Sequence, residues 1–104
     1  MQTLHFSYRA ATRLPGKRAL ALVGVVASGD LEVLLQRTPQ TTDCLVTVST
    51  AVRGFDAVWE AVLADFVERR APGGLRISIN DGGARPDVVA LRLAQGVRLM
   101  GDEA

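Results

Sequence analysis

Ser28, Gly29 and Asp30 put a hydroxyl, a residue with no side chain and a carboxylate into one short corner. Apolar residues flank it, Val25-Val26 before and Leu31, Val33, Leu34 and Leu35 after. One chemistry open to such a corner is a hydrolase triad of Ser28, Asp30 and His5, the only histidine. That reading is poor. No Gly-x-Ser-x-Gly elbow surrounds Ser28, and the apolar run before it leads into a turn, not clearly into a helix. A second chemistry is modification. A separate enzyme that supplies a base or metal can load a group onto the Ser28 oxygen. Gly29 removes bulk beside that oxygen, and turn amides can face an anionic phosphate. The same three residues also suit a plain hairpin turn. The residues alone leave modification site and turn both standing.

Other reactive groups are few. The single cysteine, Cys44, excludes an internal disulfide and a cysteine metal cluster, and no metal site is expected. Cys44 stands where a small hydrophobe belongs, so a buried, unreactive thiol is expected. Gly82-Gly83 lacks the Gly-Lys-Ser/Thr of a phosphate loop. The stretch over residues 9–18 holds Arg9, Arg13, Lys17 and Arg18 and no acidic residue. It reads as a solvated loop, or as a patch for phosphates or an acidic partner surface.

With 104 residues the chain is expected to form one domain over residues 1–104, large enough for a core. Its 12 basic and 11 acidic residues nearly cancel, which argues against a nucleic-acid partner and lacks the acidic excess of a helical acyl carrier. No apolar run reaches the ~20 residues of a membrane span. Residues 1–5 lack the basic and apolar regions of a signal peptide, so a soluble cytoplasmic protein is expected.

The elements that must position Ser28 follow from periodicity. Leu4, Phe6 and Tyr8 alternate with polar residues and predict a half-buried strand. Residues 19–26 are nearly all apolar and predict a strand buried on both faces, with Gly24 marking a bulge or close packing. Leu31, Val33 and Leu35 predict the returning strand of a hairpin, with Leu34 breaking its polar face so that this face is partly covered too. Cys44, Val46 and Val48 predict a further strand. Phe55, Val58, Trp59, Val62, Leu63 and Phe66 form one helical stripe, which makes Trp59 core. Asp65 and Arg69 are spaced to pair, and Pro72-Gly73-Gly74 ends the helix. Leu75, Ile77 and Ile79 predict a strand, and residues 80–84 a turn. Pro86 opens a second helix carrying Val89, Leu93, Val97 and Met100, weakened by Gly96 and ending in a frayed tail over residues 101–104. The order predicts an α+β fold: a small, mostly antiparallel sheet with two helices packed on one face.

The stretch Val23-Gly24-Val25-Val26-Ala27-Ser28-Gly29-Asp30-Leu31-Glu32-Val33-Leu34-Leu35 resembles the serine motif of the malonate decarboxylase acyl carrier (delta subunit) family. More loosely it is similar to the citrate lyase gamma chain, which shares Ser-Gly-Asp. Leu75-Arg76-Ile77-Ser78-Ile79-Asn80-Asp81-Gly82-Gly83-Ala84 and Val88-Val89-Ala90-Leu91-Arg92-Leu93 resemble the second block of the same family. One departure is Ala27, where the family often has glycine. The resemblance implies a non-catalytic subunit with no catalytic residue of its own. It implies 2′-(5″-phosphoribosyl)-3′-dephospho-coenzyme A joined to Ser28 by a phosphodiester, with Gly29 and Asp30 as motif neighbours. The arm would carry acetyl and malonyl as thioesters on its own thiol, so Cys44 is not the acyl-bearing sulfur. Implied partners are an acetyl/malonyl transferase (alpha) subunit, decarboxylase (beta and gamma) subunits and a prosthetic-group transferase. Asp30 would orient that transferase or its metal, or else stabilise the turn; from their charge alone, and not from the resemblance, Arg13, Lys17 and Arg18 are candidates to contact the arm's phosphates. The alternatives are a citrate-lyase-type carrier and an unmodified α+β interaction module.

Overall fold

The computed structural model describes residues 1–101. Its elements run β1 (Gln2–Tyr8), β2 (Leu20–Gly24), β3 (Leu31–Arg37), β4 (Cys44–Thr50), α1 (Asp56–Arg70), β5 (Leu75–Asp81) and α2 (Pro86–Gly101). The strands form one sheet in the order β1-β4-β5-β3-β2. Every neighbouring pair is antiparallel except β4 with β5. A parallel pair needs a crossover, and α1 supplies it. The α+β architecture read from the sequence is the one observed.

The alternation in each strand becomes a set of rows across the sheet. Phe6, Val46, Ile77, Leu35 and Ala21 form one row in register; Leu4, Val48, Ile79, Val33 and Val23 form the next. Both helices cover this face. Trp59, Leu63 and Phe66 of α1 and Val89, Leu93, Val97 and Met100 of α2 are buried against it. Gly96 is part of that packing: a Cβ there would lie 2.4 Å from Leu35 Cδ1, so the missing side chain lets α2 sit close to β3. Burial of this apolar face contributes roughly 25 cal/mol per Å².

Residues 19–26 depart from expectation. The strand is shorter, lies at the sheet edge and is buried on one face only. Leu20 and Leu22 are 54% and 55% exposed, and Val25 and Val26 lie beyond its end. A continuous apolar run reports hydrophobicity, not coverage. Here the face opposite the helices carries no helix, and Leu22 instead pairs with half-buried Leu34 across the hairpin. Gly24, at φ +81°, is a close-approach site: a Cβ there would lie 2.1 Å from the Leu31 carbonyl oxygen. Asp65 and Arg69 do pair, at 2.9 Å, but on the surface, where such a pair stabilises a helix by only a few tenths of a kcal/mol. Gly101 ends α2 in helical conformation, and residues 102–104 of the expected tail lie outside the described residues.

Helix α1 stops on a non-glycine residue. Ala71 takes the left-handed conformation at φ 46°, and its N–H donates to the Val67 carbonyl. An L-residue there carries roughly 1–2 kcal/mol of strain that glycine avoids, partly offset by glycine's greater freedom when unfolded. Ala71→Gly is therefore expected to stabilise the protein by about 0.5–1 kcal/mol, read as a rise of a few degrees in Tm. A lower Tm would contradict the strain.

Candidate functional site

The hairpin of β2 and β3 ends in a tight turn. The Asp30 N–H donates to the Ala27 carbonyl at 3.0 Å, so Ala27 to Asp30 form a β-turn. Gly29 occupies its third position at φ +77°, as a type II turn requires. Ser28 occupies the second position, exposed to solvent. A Cβ built on Gly29 meets nothing within 4 Å, so the space beside the hydroxyl is open.

The turn is held from behind by the loop between β5 and α2. Gly29 N–H donates to the Gly82 carbonyl at 3.2 Å, and Gly82 N–H donates to the Asp30 carbonyl at 2.9 Å. Gly82 also lies against Ala27: a Cβ there would sit 2.3 Å from the Ala27 carbonyl oxygen. Only glycine permits this contact of backbone on backbone. The two sequence blocks that carry the family resemblance thus meet in space. The amides of Gly29 and Asp30 are committed to Gly82 and Ala27, so the expectation that turn amides face a phosphate does not hold for these two.

Asp30 is engaged on both oxygens. Arg92 of α2 donates through Nη2 to Oδ2 at 2.9 Å and through Nε to Oδ1 at 3.2 Å, and the Leu31 N–H donates to Oδ1 at 2.7 Å. These bonds, Arg92 first, hold the Asp30 carboxyl below its ordinary value. Of its two suggested roles, this geometry serves turn stabilisation. Arg92 was not legible as its partner: 62 positions separate the pair, and no local pattern links them. The one available hint was a cation placed off the apolar stripe of α2.

Asp81, left without a role by the sequence, organises the loop behind the turn. It is buried, accepts from Thr50 Oγ1 through Oδ2 at 2.8 Å, and accepts the Ala84 N–H through Oδ1 at 2.8 Å. Asn80 lies on the open face, with Nδ2 donating to Glu32 at 3.4 Å.

The remaining candidates lie elsewhere. His5 is on β1, the edge opposite β2, with Nδ1 3.3 Å from Thr47 Oγ1. At ~4.8 Å between strands, this puts it on the order of 15–20 Å from the Ser28 hairpin, so the structure does not assemble the triad. Arg13, Lys17 and Arg18 precede β2 and lie at the opposite end of the hairpin from Ser28, where the Arg37 N–H donates to the Ala19 carbonyl. Arg13 itself donates to the Thr38 and Pro39 carbonyls at 2.6 and 2.8 Å. Hairpin strands of about 3.3 Å per residue therefore separate this loop from the Ser28 oxygen itself. Cys44 is fully buried, and desolvation pushes its thiol up to about 12. Among the described residues no three His, Cys, Asp or Glu side chains gather as a metal site, and no helix is long and apolar enough to cross a membrane.

Fold and site define a small α+β sheet protein that presents one clamped serine on a turn. Comparison with known proteins supplies the family. The family model described as "Malonate decarboxylase delta subunit (MdcD)" matches residues 18–100, and the chain belongs to that family. A malonate decarboxylase acyl carrier protein of Bradyrhizobium diazoefficiens is 55% identical over 98 residues, covering 94% of this chain and 93% of that protein. One from Stenotrophomonas maltophilia is 44% identical over 100 residues, covering 96% and 94%. A chain in the crystal structure of a Pseudomonas malonate decarboxylase hetero-tetramer in complex with malonate superposes with a TM-score of 0.85 at 40% identity. That match covers 97% of this chain and all of the other.

Two outcomes follow from the clamp. Gly82→Ala forces a methyl group into the Ala27 carbonyl and is expected to destabilise by about 1–3 kcal/mol in chemical denaturation; parental stability would mean the contact is loose. A carboxyl whose folded value is lowered contributes stability above its ordinary value and loses it as pH falls through the folded value. The Leu31 amide NMR signal should therefore titrate with a midpoint below 3.8, and in Arg92→Gln that midpoint should rise toward 3.8. A midpoint at or above 3.8 would contradict the pairing.

Proposed function

We propose that this chain is the acyl carrier subunit of a biotin-independent malonate decarboxylase, a single carrier domain over residues 1–104 without catalysis of its own. The arm is 2′-(5″-phosphoribosyl)-3′-dephospho-coenzyme A, linked through a phosphodiester to Ser28. When bound, it supplies a thiol for acetyl and malonyl thioesters, whose carbonyl can take up the electron pair left when carbon dioxide departs.

The observation that carries this reading is the exposed Ser28 hydroxyl on a turn fixed by Gly82 and by the Asp30–Arg92 pair. The residues fit the group. The open space at Gly29 leaves a modifying enzyme room to reach the oxygen from the solvent side. The clamp behind the turn keeps the attachment point from recoiling. Ser28 needs no base of its own, since the transferase supplies one. A tether gives the acyl group a high effective concentration at successive active sites. Partner docking is supported by Val25 and Val26, 55% and 53% exposed immediately before Ser28, and by the name of the similar Pseudomonas assembly. The transferase subunit, the decarboxylase subunits and the prosthetic-group transferase are the partners this reading requires, and the cytoplasm is the compartment it implies. The family matches favour malonate decarboxylase over the citrate-lyase-type carrier.

Intact mass spectrometry of the protein from malonate-grown native cells tests the assignment. The expected result is one adduct of the mass of phosphoribosyl-dephospho-coenzyme A, lost in Ser28→Ala with the fold intact. An unmodified mass from cells that decarboxylate malonate through this complex would overturn it.

A further inference from the structure

We infer that the groove between the N-terminal turns of α1 and α2 seats the adenine of the arm. The inference rests on the Ser28 attachment proposed above.

Position comes first. The groove shares a wall with the Ser28 clamp: Gly82 holds the turn, and the next residues, Gly83 to Arg85, line the groove. Arg85 is three residues beyond Gly82, at most about 11 Å along the chain. In the arm, a phosphodiester and two sugars separate the attachment oxygen from the base. Adenine is therefore the only flat apolar group near Ser28, while the acyl thioester lies at the far end.

Size and surface agree with a base. The groove measures about 270 Å³, just below the ~300 Å³ at which sites for drug-sized ligands begin, so it takes a fragment and not the whole arm. Phe55, which caps α1, and Val58 on its first turn continue the apolar stripe of that helix, yet they remain 49% and 39% exposed. With Trp59 they make an aromatic and aliphatic wall, and the exposed Arg85 also lines the groove. Purines stack on such rings and on guanidinium planes.

Charge decides between the ends of the arm. The floor is the third row of the sheet, where Thr50 and Asp81 replace the hydrophobic residues of the other rows. The Asp81 carboxylate accepts one bond on each oxygen and retains lone pairs, which can accept from an exocyclic amine. The same carboxylate repels a malonyl carboxylate. The groove thus fits the proximal base and leaves the acyl end free for partner subunits.

Trp59, the only tryptophan, reports on the groove directly. The full-length protein made without the transferase is titrated with AMP and, separately, with pantetheine. AMP is expected to change Trp59 emission and pantetheine is not. Phe55→Ala should raise the AMP dissociation constant roughly 5- to 150-fold, the worth of one base–aromatic stack, and Arg85→Ala should weaken it while circular dichroism stays parental. Protein whose Ser28 adduct is verified by mass should show the AMP-like emission without added ligand. A verified adduct with apo-like emission overturns the adenine seat and leaves the attachment intact, as does a response to pantetheine alone. A missing adduct in the native complex overturns the attachment, and the inference with it.

Discussion

The contact of Gly82 with Ala27 is the constraint on which the site depends. Two backbones touch there with no side chain between them, and two hydrogen bonds close across the gap. The contact is possible because β3 and β5 are neighbours in antiparallel register, with Leu31 opposite Asp81. That register brings the end of β5 to the start of β3, and the two loops continue into each other. A slip of one residue would turn the hydrophobic rows to the wrong face, so core burial and turn position are specified together.

The parallel pairing of β4 and β5 has a second effect. Both strands end at the Ser28 end of the sheet, and each leads into a helix there. The last row, Gln2, Thr50, Asp81 and Leu31, is where the core gives way to polar groups. Asp81 joins the strand end to the loop through Thr50 and Ala84. Asp30 joins the turn to α2 through Arg92. Each carboxylate thus has both oxygens engaged and ties its own loop to a segment far away in the chain, Asp81 to Thr50 and Asp30 to Arg92.

Much of this was legible in the residues. Alternation in the strands and the stripes of both helices reported which face of each element is buried, because those patterns are local. Ser28 and the glycines around it were legible as a turn, and the second block at Asn80 to Ala84 as its companion by resemblance. What was not legible depends on pairing. Nothing local says that β2 lies at an edge, so its leucines read as buried on both faces. Nothing local joins Arg92 to Asp30, or puts Arg13, Lys17 and Arg18 at the far end of the hairpin. Ala71 was hidden for another reason: the glycines that follow it are the expected left-handed residues, and the chain takes that conformation earlier.

Gly96 ties these observations to the position of a single oxygen. It stands one helical turn beyond Arg92, and its missing Cβ sets how deeply α2 beds on Leu35. Arg92, on the same helix, holds the Asp30 carboxylate at 2.9 Å. The seating of a helix is therefore an alignment tolerance for a hydroxyl on another segment of the chain. A methyl group added in the middle of the core would be passed along α2, through Arg92 and Asp30, to the surface turn that carries Ser28.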